Sequence, residues 1–91
     1  MKDDNLKYLE KVLKAFANKR RLLILKYLNS TKEAPVGDIA SEINLSVKAT
    51  SKHLNILSTI DILEKDQRSS QMFYRISSNK NSIVEYLLSV L

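Results

Sequence analysis

Val36-Gly37-Asp38-Ile39-Ala40-Ser41-Glu42-Ile43-Asn44-Leu45-Ser46-Val47-Lys48-Ala49-Thr50-Ser51-Lys52-His53-Leu54-Asn55-Ile56-Leu57 holds two short apolar-periodic segments joined by Asn44-Leu45-Ser46. In the first, Val36, Ile39, Ala40 and Ile43 recur at i, i+3, i+4 and i+7, so they line the buried face of a two-turn helix. Asn44 falls where a sharp corner needs the left-handed region, which Asn tolerates best after Gly. Ser46 then reads as the N-cap of a second helix that turns Leu54 and Leu57 inward and Lys48, Ser51, Lys52 and Asn55 outward. A short helix, a tight corner and a second helix with a polar, basic front is a helix-turn-helix, whose second helix fits the DNA major groove. Two ordinary packed helices with a solvated front would share this spacing, so the surrounding chain has to decide.

Ninety-one residues imply one domain with a modest core, spanning 1–91. The chain has no cysteine, which excludes disulfides, thiol catalysis and thiolate metal sites. Its single histidine, His53, leaves little scope for His-based catalysis or a His-rich metal site, and we expect no metal and no cofactor. Nucleophile, base and orienting group do not occur at informative spacing, so an enzyme is not expected. No apolar run reaches membrane-spanning length, and the start, Met1-Lys2-Asp3-Asp4-Asn5, lacks a signal peptide's apolar core. These features lead us to expect a soluble, cytoplasmic protein without a membrane partner. Fifteen Lys and Arg against ten Asp and Glu give a formal charge of +5, a balance that favours polyanions. Lys19, Arg20 and Arg21 run together, and Lys48, Lys52, Arg68, Arg75 and Lys80 surround the motif, so the excess follows the expected DNA side.

Before the motif, Leu6, Leu9, Leu13 and Phe16 mark an amphipathic helix over 3–17, with Asp3 and Asp4 at the favourable end of its dipole. Asn18 offers a cap for a second helix over Arg21 to Leu28, where Leu22, Ile24, Leu25 and Leu28 can serve the core. Leu23 and Tyr27 are left to seal against the first helix or meet another subunit. Asn29 to Pro35 reads as a polar loop. The helix-turn-helix occupies about 36–59, and a β-hairpin follows over about 62–76, where Met72, Tyr74 and Ile76 alternate with Phe73 and Arg75 and where Arg68 sits near the tip. A last helix over 79–91 carries Ile83, Leu87 and Val90 on one stripe, with Val84, Leu88 and Leu91 beside it. The order is that of a mainly α, α+β winged helix-turn-helix.

At this point the chain resembles the ArsR-type transcriptional regulators. Asn18 to Leu28 resembles their second-helix signature, an Arg-Leu-x-Ile-Leu core after a capped start. Leu45-Ser46 and Thr50-Ser51-Lys52-His53-Leu54 with Leu57 are similar to their recognition helix, and Phe73-Tyr74-Arg75-Ile76 to their second wing strand. The resemblance covers about residues 6–90 and implies a DNA-binding regulator. It also shows departures. Pro35 and Gly37 stand at the positions where family metal sensors place a Cys-x-Cys pair, and the last helix supplies only Glu85 towards the family's Asp, His and Glu site. Asp61 and Ser69 replace the glycines expected after the recognition helix and at the wing tip, which calls for other backbone solutions.

The residues expected to meet DNA are Ser46, Lys48, Ala49, Ser51, Lys52, Asn55, Arg68, Ser69 and Gln71. Lys48 and Lys52 can donate to guanine or phosphate, Asn55 can pair with adenine, and Ala49 and the Thr50 methyl permit close approach. Arg68, Ser69 and Gln71 at the wing would lie along phosphates or enter the minor groove. His53 reads as a half-buried packing and hydrogen-bonding residue. Leu6, Leu9, Leu13, Phe16, Ile83, Leu87, Val90 and Leu91 exceed what one small core takes up, so they are expected to form a homodimer that reads a pseudo-palindromic duplex. Repression is the expected output, with no effector identifiable. The competing expectation is a winged-helix module that binds protein and not specific DNA.

Overall fold

The computed structural model describes residues 3–91. Helix α1 spans Asp3–Phe16, α2 Lys19–Thr31, α3 Val36–Glu42, α4 Val47–Thr59 and α5 Ser82–Ser89. Strand β1 is Glu33–Pro35, β2 Leu63–Arg68 and β3 Gln71–Ile76. The polar start at Met1 and Lys2, and the side chains of Asp3 and Asp4 expected to favour the first dipole, lie outside the described residues.

Side-chain caps set the helix starts, two of them, Asn18 and Ser46, anticipated from the sequence. Asn18 accepts a hydrogen bond from the Arg21 amide, Ser46 from Ala49 and Asn81 from Val84. Each satisfies one of the orphan amides of a first helical turn. The last helix therefore starts at Ser82 and ends at Ser89, shorter than the 79–91 expected, because Asn81 supplies the cap that apolar periodicity does not mark.

The sheet has order β1-β3-β2, all antiparallel. Sequence pattern alone places Glu33-Ala34-Pro35 in a loop, whereas here it forms β1: Ala34 pairs with Tyr74 and extends the hairpin to a third strand. Pro35 has no amide to donate, which suits it to this edge. The inner face brings Ala34, Leu63 and Tyr74 into the core. There they meet Val12, Ile24, Leu25, Leu28, Ile39, Leu54, Leu57 and Val84 in one buried cluster. Among the described residues no helix is long and apolar enough to cross a membrane.

Candidate nucleic-acid interface

The corner between α3 and α4 is closed by backbone geometry. Asn44 adopts φ 55°, and the Leu45 amide donates to the Ala40 carbonyl at 3.0 Å, which ends α3 in the wrapped-back manner of a left-handed cap. Arg20, from α2, donates to the carbonyls of Ile43 and Asn44 at 2.8 and 3.2 Å. Arg21 donates to the Ala15 and Lys14 carbonyls at 2.7 and 3.2 Å, so it ties the end of α1 to the start of α2. Its Nη1 also lies 3.3 Å from Nδ1 of His53 on α4. Arg cannot accept, so Nδ1 is the acceptor. Partial burial first, then the Arg21 and Arg20 charges, holds His53 below its usual pKa.

These bonds change the meaning of the Lys19-Arg20-Arg21 run. Clustering suggested a DNA-facing patch, but Arg20 braces the α3–α4 corner against α2 and Arg21 ties α2 to α1 and α4, and among the described residues only Lys19 of the three is an exposed, unengaged cation.

On the front of α4, Lys48, Lys52 and Asn55 are exposed and Ala49 and Ser51 half-buried. Among the described residues neither Lys48 nor Lys52 makes an ion pair. Ser46 is exposed, with its oxygen taken by the Ala49 amide and its hydroxyl hydrogen left to donate. The expectation that the Thr50 methyl faces DNA is corrected: Thr50 is 0 % exposed, on the core side of the helix.

The wing differs more. Ser69 and Ser70 connect β2 to β3, and Ser69 keeps the left-handed conformation at φ 57°, as Asp61 does at φ 61° after α4. Both positions thus retain the backbone that glycine would have adopted, against the expectation of another solution. Behind Asp61, the Ile62 amide donates to the Leu57 carbonyl at 3.0 Å and completes the cap. Ser69 and Gln71 are exposed at the tip. Arg68, expected to offer a free cation there, is instead matched by acid. It donates to both Glu33 carboxylate oxygens at 2.8 and 2.9 Å and to Asp66 at 2.9 Å, and its guanidinium lies 4.6 Å from the centre of the Phe73 ring. Hydrogen bonding to Arg68 holds Glu33 below the usual carboxylate pKa. Next along the same face, Arg75 meets Glu64 at 3.2 Å, and the Ser78 amide and hydroxyl hold the Glu64 pKa down in turn. The outer wing face is therefore a ladder of paired charges. Acids at alternate positions 64 and 66 with Arg68 were the available sequence signal, since alternation places them on one side of a strand. Glu33, the partner from a distant strand, carried none.

The expected association surface also divides. Phe16, 6 % exposed, belongs to the core of this chain and is removed from that set. Leu9, Ile83, Leu87 and Leu91 are half-buried, the last three packed against the same core. Leu6, Leu13 and Val90 remain 50, 45 and 63 % exposed, with Tyr86 at 64 %. Asn81 donates to the Tyr8 hydroxyl at 3.3 Å and links α1 to the start of α5.

A braced recognition helix, a left-handed corner and a sheet-borne hairpin define a winged helix-turn-helix DNA-binding domain. Residues 18–65, more than half of the chain, match the model of the family described as bacterial regulatory protein, arsR family, and this chain belongs to that family of transcriptional regulators. It is 36% identical over 77 residues to the transcriptional activator HlyU of Vibrio cholerae, covering 84% of this chain and 70% of that one. The solved structure of HlyU from Vibrio cholerae matches with a TM-score of 0.82 at 31% identity, over 98% of this chain and 92% of that one. The homodimeric winged helix-turn-helix DNA-binding domain Mb0332 from Mycobacterium bovis matches with a TM-score of 0.82 at 28% identity, over 99% of this chain and 82% of that one. These relatives are regulators and not enzymes.

Proposed function

We propose that the protein is a homodimeric regulator that binds a pseudo-palindromic duplex in a sequence-specific way and represses by occupying it. The observation that carries this reading is the pair Lys48 and Lys52, exposed and, among the described residues, without acidic partners, on the front of a helix that Arg21 holds directly and Arg20 through the corner before it. Ser46, Ala49, Ser51 and Asn55 complete the reading face, while Ser69 and Gln71 touch the backbone at the wing tip. Each ammonium near a phosphate releases counterions, so affinity falls steeply with salt. The exposed apolar side chains Leu6 and Leu13 of α1 and Val90 after α5, with the half-buried Leu9 and Leu87, supply the two-fold contact and present two recognition helices to half-sites about one helical turn apart. The Mycobacterium bovis neighbour, described as homodimeric, supports this assembly. The Vibrio cholerae relative is described as an activator, so the sign of control follows where the operator lies. Cadmium, zinc and arsenite leave the affinity unchanged on this reading, because the chain has no cysteine and, among the described residues, no group of three potential ligands.

The test is selection of bound genomic fragments by the purified protein, followed by fluorescence anisotropy and analytical ultracentrifugation of the parent and of Leu13→Glu. The expected outcome is a dimeric parent, a monomeric variant, and joint loss of operator binding. A parent that sediments as a monomer at micromolar concentration would sink the dimer. Equal, salt-insensitive behaviour towards every duplex would favour a protein-binding module.

A further inference from the structure

Beside the recognition face, α1 and α4 leave a cleft of about 540 Å³, within the size range of small-molecule sites. Ile56 of α4 and Ile60, the residue that follows that helix, give it an apolar floor, and Lys11, Lys14 and Lys52 stand around it. No lining residue is acidic. Glu10 reaches Lys14 only at 3.7 Å in an exposed pair, an interaction too weak to hold that ammonium against a competing anion. Arg21 also lines the cleft, but each of its three nitrogens already makes one hydrogen bond, to the Ala15 and Lys14 carbonyls and to His53, and these fix the group in place. It contributes positive potential from that fixed position, which leaves recognition chiefly to the ammonium groups. Ile56 is 45 % exposed, a large apolar side chain on the cleft side of α4, and DNA contact gives it no role.

We propose that this cleft binds a small organic carboxylate with an apolar chain, and that the bound anion takes Lys52 from DNA and so weakens operator binding. The regulatory half of this inference rests on the DNA-binding reading above; the site itself does not. Charge and surface fit together: Lys11 and Lys52, without an acidic partner among the described residues, and Lys14, in only a weak exposed pair with Glu10, call for an anion, and the isoleucine floor calls for a hydrocarbon tail. A second copy of the chain is the less suited occupant, because the ridge offered for dimerisation is the Leu6, Leu9 and Leu13 face of α1, a different side that meets the cleft only at Lys14. Lys52 is the coupling residue, since it belongs both to the cleft and to the reading face of α4.

The experiment is a backbone amide chemical-shift titration of the full chain with sodium octanoate and, separately, with 1-octanol, without DNA. Expected are saturable shifts centred on Lys11, Ile56 and Ile60, with octanol binding roughly tenfold more weakly. Lys11→Gln should weaken octanoate by roughly threefold, the size of one exposed ion pair, and leave DNA affinity unchanged. At constant ionic strength, octanoate at ten times its dissociation constant should lower operator affinity by about tenfold if the two ligands exclude one another. Equal binding of octanol, or shifts confined to Leu6 to Leu13, would overturn the site. Protection of Ile56 on dimerisation alone would assign the cleft to a second copy and overturn it too. Octanoate that binds while operator affinity stays constant would overturn the coupling. If no duplex binds with or without octanoate, the regulatory reading fails, and the shift titration decides the cleft by itself.

Discussion

On α4, Lys48 and Lys52 stand one turn apart without an acidic partner among the described residues, whereas on the wing Arg68 is shared between Glu33 and Asp66, and Arg75 meets Glu64. Both regions look basic when the residues are counted along the chain. In space one is a free positive surface and the other is internally neutralised, with three carboxylates against two guanidinium groups. The contrast teaches that a cation's value for DNA depends on what it gives up. An exposed lysine exchanges water and counterions for phosphate, while Arg68 must also surrender two carboxylates and its position over the Phe73 ring. On the proposed reading, recognition is therefore concentrated in the helix, with the wing as a shaped, nearly neutral edge.

The sharpest way to break the contrast is to remove one cation from each side. Lys52→Ala should cost operator binding about 1–3 kcal/mol if the ammonium meets a base edge, with relaxed preference at one position per half-site. Arg68→Ala should change DNA affinity far less. Anisotropy titrations at several salt concentrations check both, and equal losses would mean that Arg68 leaves its carboxylates on binding.

A second, smaller effect comes from releasing the wing. Glu33→Gln takes away the carboxylate that holds Arg68 with two hydrogen bonds and leaves Asp66 as the remaining partner. Affinity for any duplex should rise, and the salt dependence should steepen by up to roughly 0.9 in log–log slope for each further phosphate that the freed guanidinium neutralises. Stability should fall only slightly, since the pair is exposed and screened by solvent. An unchanged salt slope would show that the wing lies away from the phosphates.

The same contrast marks how far the sequence could be read. The helix-turn-helix was legible because its determinants are local: the Ile39, Ala40 and Ile43 spacing, Asn44 at φ 55° and the Ser46 cap each act within a few residues. The left-handed corner needs no partner to be recognised. The wing's charge ladder was not legible, because Glu33 and Arg68 are brought together only when β1 adds to the hairpin. A three-residue strand has too few positions to display alternation, so Glu33-Ala34-Pro35 reads as loop until β3 offers it an edge. Arg20 and Arg21 illustrate the reverse failure. A run of charges suggests a surface, yet the carbonyls they cap, at Ile43 and Ala15, become acceptors only once the helices end there. Phe16 carried the helical periodicity of an exposed stripe, and only the placement of the other elements shows that its turn is inside.

Backbone strain offers a third comparison between the two regions. Asn44 in the corner and Ser69 in the wing both occupy the left-handed region, but Asn tolerates it and Ser has less reason to. Ser69→Gly should relieve about 1–2 kcal/mol of strain, partly offset by about 0.5–1 kcal/mol of extra chain entropy in the unfolded state. The net gain is at most about 1.5 kcal/mol, visible as a modest rise in melting temperature. Asn44→Gly should gain less. A larger gain at Asn44 would reverse the ranking of the two turns.

The smallest expected effect uses pH to separate helix from wing. The folded pKa of His53 lies below its usual value, so folding disfavours its protonated form. The unfolded chain then binds more protons, and the contribution of neutral His53 is fully present above about pH 6.5, being lost as pH falls through that value towards the folded pKa. Glu33 and Glu64 have folded pKa values lowered from 4.5, so what they contribute is present above that value and is lost only as pH falls further. Between these limits acidification acts on the anchorage of α4 and leaves the wing ladder charged. Protonated His53 no longer accepts from Arg21 and instead repels it, which loosens the tie between α2 and the recognition helix. Amide hydrogen exchange from pH 7.5 to pH 5 should therefore show α4 opening more readily while β2 and β3 hold, after correction for the intrinsic rate. His53→Gln keeps an acceptor for Arg21 without a titrating ring, and its α4 protection should be flat across the same range. If the variant loses protection as the parent does, the acid sensitivity of the recognition helix lies in some group other than His53.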